Sequence, residues 1–259
     1  MRQRCFDPGE PELMDTVERV TPELEDDLEN LRLLNRWFGS HRLIRHYLPR
    51  LIPAGKPVRL LDLCTGSGDI PRLIVDWARA QGRTVAVDAV DFQEATLEVA
   101  RRKSADHPEI RFLQADARDF GPSGGEPYDG VFCSLALHHF SEADAVRILA
   151  NMKRWSQGFV LAADLERSWL TTAGVWLITA TVFRQPMTVH DGRMSAARAF
   201  SWAEFAGLAR KAGWLHARHQ RFLYGRQVLV EGVEMGGAWA ERLCSIMSKS
   251  RLNSGISRT

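Results

Sequence analysis

The chain is poor in the features that would commit it to an oxidising compartment, a bilayer or a nucleic acid. Its four cysteines, Cys5, Cys64, Cys133 and Cys244, are scattered through 259 residues with no close pair. That spacing excludes a zinc knuckle and a disulfide framework. Charge of one sign is also lacking, since 34 basic and 32 acidic side chains leave a formal +2. So small a surplus gives no argument for a nucleic-acid or membrane partner. The longest apolar run, Leu170 to Phe183, is interrupted by threonines and falls short of a membrane span. The first fifteen residues are polar and lack a signal-peptide core. These absences predict a cytoplasmic protein with no nucleic-acid partner and no integral membrane contact. What the chain has is 45% hydrophobic and 25% charged residues, enough for a large core. Its length suits one α/β domain with embellishments, or two small domains.

Residues 1–57 read as an irregular arm followed by cap helices. Thr21 is placed to cap a helix with Pro22 in its first position, and Leu24, Leu28, Leu31, Leu34 and Phe38 recur at helical spacing. From Val58 the pattern alternates. VRLLDL, RTVAVDAVD, IRFLQAD, YDGVFCSLAL and GFVLAADL read as buried strands, separated after the first, second and fourth by amphipathic helices. Near-continuous apolar strands with helices between them predict a parallel sheet covered on both faces. Right-handed crossovers make it doubly wound. The rhythm breaks at about 168–199, a helical insertion read as part of the cap, and resumes at Ser201, which with Glu204 forms a capping-box pair. Two last strands joined by Tyr224-Gly225 read as an antiparallel hairpin at the sheet edge. The expected fold is therefore α/β, a mostly parallel seven-stranded sheet with a core over 58–234. A partly disordered extension is expected over 235–259.

The most informative stretch is LLDLCTGSGDIPRLI, Leu60 to Ile74, a strand bending through Gly66 and Gly68 into a helix. An NTPase phosphate loop needs a Gly-Lys-Ser/Thr ending, and no lysine lies near Gly68. A dinucleotide fingerprint needs a third glycine where this chain has Pro71, and Asp69 would meet the pyrophosphate with like charge. The order Asp62, Gly66, Gly68, with Asp91 ending the next strand, instead resembles class I S-adenosylmethionine (SAM) dependent methyltransferases. LQAD, ending at Asp116, and YDGVFCSLALHHF, Tyr128 to Phe140, match the family's third and fourth strands. The resemblance covers roughly Val58 to Gly232 and implies a Rossmann-like methyltransferase fold with SAM as cofactor. It places Asp62, Cys64, Gly66, Ser67, Gly68, Asp91, Phe92, Asp116, Ala117 and Ser134 around that cofactor. Asp62 would lie near the amino-acid end, Asp91 would accept the ribose hydroxyls, and Asp116 the adenine amino group, with Ala117 N–H beside the ring. Cys64 departs from the family, standing where many members have a glycine. The physical reading agrees, because SAM is a sulfonium and an ammonium without phosphate, so an acidic turn suits it.

Methyl transfer is an in-line displacement, assisted by a general base when the acceptor is a phenol. His138 and His139 follow the fourth strand at the ligand-binding edge and are the candidate catalytic residues, one contacting the substrate and one packing beneath. Trp37, Trp169 and Trp176, with His190 and Asp191, are the expected substrate pocket, a lid for a hydrophobic or aromatic small molecule. Asp191-Gly192 reads most simply as a polar turn. No metal site is assigned, since His138, His139 and Asp191 meet only if the insertion folds over them. ELMD and HDGRMSAARAF are similar to a bacterial group acting on phenolic polyketides and phenolic lipids, which implies O-methylation. Alternatives are C-methylation of a quinone-type precursor, a non-catalytic SAM-binding protein, and, more remotely, a nicotinamide oxidoreductase. A homodimer stays open.

Overall fold

A computed structural model describes residues 3–121 and 125–232; the extension read over 235–259 lies outside them. The N-terminal arm is irregular except for one 3₁₀ turn, Leu13–Thr16. It is followed by α1 (Pro22–Trp37) and α2 (Ser40–Leu51). The Thr21 side chain accepts the Leu24 N–H at the start of α1, a cap worth about 1 kcal/mol. Gly39 separates the two helices at φ +94°, a left-handed conformation that glycine adopts without strain.

Five strands alternate with helices: β1 (Val58–Leu63), α3 (Asp69–Ala80), β2 (Val85–Asp91), α4 (Glu94–Lys103), β3 (Ile110–Gln114), β4 (Tyr128–Ser134), α5 (Glu142–Trp155) and β5 (Ser156–Leu165). The insertion is a helical hairpin, α6 (Trp169–Thr181) and α7 (Pro186–Arg198). Then come α8 (Trp202–Lys211), β6 (Arg218–Phe222) and β7 (Arg226–Gly232). Among the described residues the strands form one sheet in the order β3-β2-β1-β4-β5-β7-β6. The pairings of β1 to β5 are parallel, and β7 runs antiparallel to both β5 and β6. Tyr224 and Gly225 make the expected β6–β7 turn, both at positive φ, as a tight hairpin requires. The capping box at Ser201 and Glu204 is formed.

Both faces of the sheet are covered. On one, β-strand residues such as Val131 and Val160 pack with Leu149 of α5 and Phe205 of α8. On the other, Leu60 and Phe132 pack with Leu48 of α2 and Ile74 of α3. Strand order reverses direction between β1 and β4, so the carboxyl ends of these two strands flank the crevice where ligands bind in such sheets. One local expectation fails. Asp191-Gly192 is not a turn but lies inside α7, whose start is set by Pro186 in the first turn and by the Gln185 side chain accepting the Thr188 N–H.

Candidate active site

The crevice opens into a cavity of about 1020 Å³, bounded by the strand ends, the N-terminal arm, α1 and α6. Its floor is the turn after β1. Cys64, Gly66 and Gly68 all have positive φ (56°, 54° and 73°), so the chain turns sharply at the end of the strand. A Cβ on Gly68 would come within 2.9 Å of the Phe112 ring, so a larger residue would have to displace that ring and hold a strained positive φ. Cys64 holds a conformation that suits glycine better, at a cost on the order of 1 kcal/mol, which explains why a glycine is common there in the family it resembles. Its thiol is pushed well above the ordinary value by the neighbouring Cys133 thiol and by burial, so it stays neutral.

The floor is acidic. Asp62 is buried and, among the described residues, has no basic partner within ion-pair distance. Burial, with Asp69 and Asp91 nearby, pushes its carboxyl up to about 7. Burial also raises Asp91, whose two oxygens accept the Gly66 N–H at 2.8 Å and the Gln93 N–H at 3.1 Å. Asp91 thus orders the turn and the start of α4 while each oxygen keeps acceptor capacity for a ligand hydroxyl. Asp69 is held by Asn35 (3.0 Å) and His41 (2.8 Å), which ties α1 and α2 to the glycine turn. A buried carboxylate without a cation, beside open glycine backbone, fits a cationic cofactor such as SAM and would repel a pyrophosphate.

Ser67, Phe92, Ala117 and Ser134 also border the cavity, as do Asp62, Gly66, Asp91 and Asp116. Gly68 does not line it and acts through the turn it shapes. Asp116 accepts Arg118 Nε at 3.0 Å on both oxygens, Arg118 also bordering the cavity, and this pairing holds its carboxyl below the usual range.

Both histidines after β4 border the cavity, their rings 4.3 Å apart, so neither simply packs beneath the loop. His138 is 2% exposed, and its Nδ1 lies 2.6 Å from Oδ1 of Asp164, which is fully buried. The His138 backbone N–H donates to the other carboxylate oxygen at 3.0 Å. A carboxylate can only accept, so the Nδ1 carries a proton, and in the neutral imidazole the lone pair is on Nε2. Asp164 was missed by the sequence reading. Its only signal was an aspartate near the carboxyl end of β5, in a stretch otherwise read as core.

His139 is a different case. Its Nδ1 lies 3.5 Å from Asp15 and 3.8 Å from Glu12. Burial lowers its pKa, but the Glu12 and Asp15 carboxylates overcome that and raise it to about 9. Glu12, His138 and His139 bring ligand-type atoms within 4.8 Å of one another, a grouping the sequence did not foretell because Glu12 comes from the arm. A protonated His139 in an ion pair accounts for this grouping.

The expected substrate pocket is only partly assembled. Trp37, Trp169 and Trp176 do not line the cavity and are 53%, 76% and 52% exposed. The apolar wall comes instead from Leu31 and Leu34 of α1, from Phe38 just after it, and from Leu170, Val175 and Ile178 of α6. His190 is turned outward onto its neighbour Asp191, 2.8 Å away. Asp191 is buried outside the cavity and accepts the backbone N–H groups of Leu13 (2.8 Å) and Met14 (2.9 Å). Helical geometry explains both corrections. Leu170, Gly174 and Ile178 share one face of α6, and the tryptophans fall on another.

Residues 60–157 match the family described as a methyltransferase domain. The chain is 35% identical over 125 residues to 2-phytyl-1,4-naphtoquinone methyltransferase of Thermosynechococcus vestitus, covering 47% of this chain and 50% of that protein. It is 35% identical over 113 residues to demethylmenaquinone methyltransferase of Thermus thermophilus, covering 42% and 49%. The chain thus spans about half the length of the curated relatives it matches. Among solved structures, the plantazolicin methyltransferase BpumL in complex with S-adenosylhomocysteine superposes with a TM-score of 0.58 at 14% identity, covering 92% of this chain and 87% of that one. That likeness establishes the fold.

Proposed function

We propose that this chain, whose residues 60–157 match a methyltransferase domain, moves the methyl group of SAM to a small phenol or quinol. The observation that carries this reading is the His138–Asp164 pair, in which buried Asp164 near the end of β5 holds His138, just after β4, and His138 borders the same cavity as the acidic glycine turn. When bound, the cofactor would supply an electrophilic methyl group. Asp62, Gly66 and Asp91 would hold it, and Ser67, Ser134 and Ala117 would border it. Asp116, paired with Arg118, would border it too.

The chain's own residues then have three tasks. The apolar wall of α1 and α6 excludes water and orients a flat acceptor, and such positioning supplies several kcal/mol, up to about 7–11 in ideal cases. His138 Nε2 takes the acceptor's hydroxyl proton. Asp164 fixes the imidazole tautomer and stabilises the imidazolium that forms. A phenol with an unperturbed pKa of about 10 gains about 10²–10⁴-fold from such a base.

Removing the phenolic proton activates the oxygen and, by resonance, the ring carbon beside it. The names of the two relatives, both methyltransferases of quinone-type compounds, favour carbon as a second reading. Methyl transfer from isotope-labelled SAM to alkylresorcinols, hydroquinones and simple phenols, read by mass spectrometry, tests the class. NMR of the product separates an ether from a ring methyl. Label on a phenol or quinol is expected. Tight S-adenosylhomocysteine binding with no label on any acceptor would leave a non-catalytic binding protein.

A further inference from the structure

The helix α6 has no charged residue, and from 168 to 190 the only Lys, Arg, Asp or Glu is Arg184. One face of it closes the cavity through Thr171, Gly174, Val175 and Ile178. The other face points into solvent. Trp169, Trp176 and Leu177 are 76%, 52% and 64% exposed, and Val182, just past the helix, is 60% exposed; Leu170, at the cavity rim, is 65% exposed as well. Positions 169, 173, 176, 177 and 180 are all exposed, a spacing that makes one continuous apolar strip. Large contiguous apolar patches on a soluble protein mark an interaction surface.

We propose that this strip docks the protein on an anionic lipid surface. Three observations select a bilayer over a second copy of the chain. The 13-residue helix is about 20 Å long, and its strip offers a few hundred Å², short of the roughly 800 Å² per partner of a standard protein interface. The strip itself carries no charged or amide side chain to set a register, whereas protein interfaces carry a polar rim with hydrogen bonds. Cations border it, and the one acidic residue between them, Asp191, is buried and committed to the Leu13 and Met14 N–H groups. Arg184 is exposed just beyond the helix end, and the Arg193 guanidinium lies 3.7 Å from the Trp176 ring centroid. Tryptophan and leucine facing outward beside arginines is the composition of a helix lying in the headgroup layer. Among the described residues no helix is long and apolar enough to cross a membrane, so the contact is with the surface. Because α6 is also the cavity wall, an apolar molecule dissolved in the lipid would have one helix to pass.

The test uses the full chain and vesicles of phosphatidylcholine and phosphatidylglycerol in a flotation assay. The wild type is expected to float with the vesicles. Leu177→Glu is expected to reduce the bound fraction at least tenfold while binding S-adenosylhomocysteine within twofold of wild type. Vesicles with brominated acyl chains are expected to quench the wild-type tryptophan fluorescence, and Trp169→Phe with Trp176→Phe to remove that quenching without altering the fold. A wild type that stays in solution, or quenching that survives loss of both tryptophans, overturns the proposal. So does a dimer in light scattering that Leu177→Glu dissociates while vesicle binding is unchanged, because the strip would then belong to a second copy.

Discussion

His138 and Asp164 carry the chemistry at the scale of single residues, and their arrangement makes separable demands. The 2.6 Å contact fixes which imidazole nitrogen can accept a proton. His138→Gln removes the base and leaves the glycine turn untouched. Turnover is expected to fall by about 10²–10⁴-fold, with S-adenosylhomocysteine affinity within about twofold of wild type. Asp164→Asn keeps the shape but can donate to Nδ1, favouring the wrong tautomer, and is expected to approach the loss of His138→Gln. Steady-state rates with parallel calorimetry check both, and unchanged turnover in His138→Gln would move the base elsewhere. The cofactor residues were legible because each sits at a fixed place relative to a strand end. Asp164 was not, because a buried aspartate closing a hydrophobic strand looks the same in sequence whether it orders a loop or orients a histidine. Cys64 shows the same limit, since its left-handed backbone is a property of the turn and not of the cysteine.

The element that distinguishes this chain from a bare sheet is the arm folded across the mouth of the cavity. Arg4 donates to the backbone carbonyls of His138 (2.9 Å) and Phe140 (2.7 Å). Asp191 holds the 3₁₀ turn by two backbone N–H groups, and His139 faces Glu12 and Asp15. The pKa of His139 is raised to about 9 from an ordinary 6.5 or so, so the folded state binds its proton more tightly than the unfolded one. The stabilisation is complete below the unfolded value and is lost as pH rises through about 9. Thermal melts from pH 6 to pH 10 are expected to show wild type losing its advantage over His139→Gln across that window. A constant difference between the two would remove the ion pair from the account. The strands, their order and the capped helices could be read from periodicity and capping residues. The rotation of α6 could not, because a helix that is apolar all round has no polar face to say which side is wet. Asp191 was misplaced for a related reason. Asp-Gly is a turn signal in isolation, and here the Gln185 cap and Pro186 had already started a helix.

Over the whole molecule, the sheet supplies the cofactor's place and the added helices supply the acceptor's. The turn after β1 lies at the reversal of strand order and is met there by the aspartate ending the neighbouring β2, while α1 and α2 are tied to that turn through Asn35 and His41. Binding a cofactor therefore organises floor and wall together. Asp62 without a cation and with its carboxyl raised to about 7 is an ionisation cost that a bound ammonium or sulfonium would relieve. The central claim is that this floor holds SAM, with Asp91 accepting its hydroxyls, and calorimetric titration of S-adenosylhomocysteine into wild type and Asp91→Ala tests it most directly. Saturable wild-type binding is expected, with an affinity at least tenfold weaker in the variant, consistent with about 1.5–3 kcal/mol for a hydrogen bond to a charged group. Equal affinity in the two proteins, or no binding to the wild type, would contradict it.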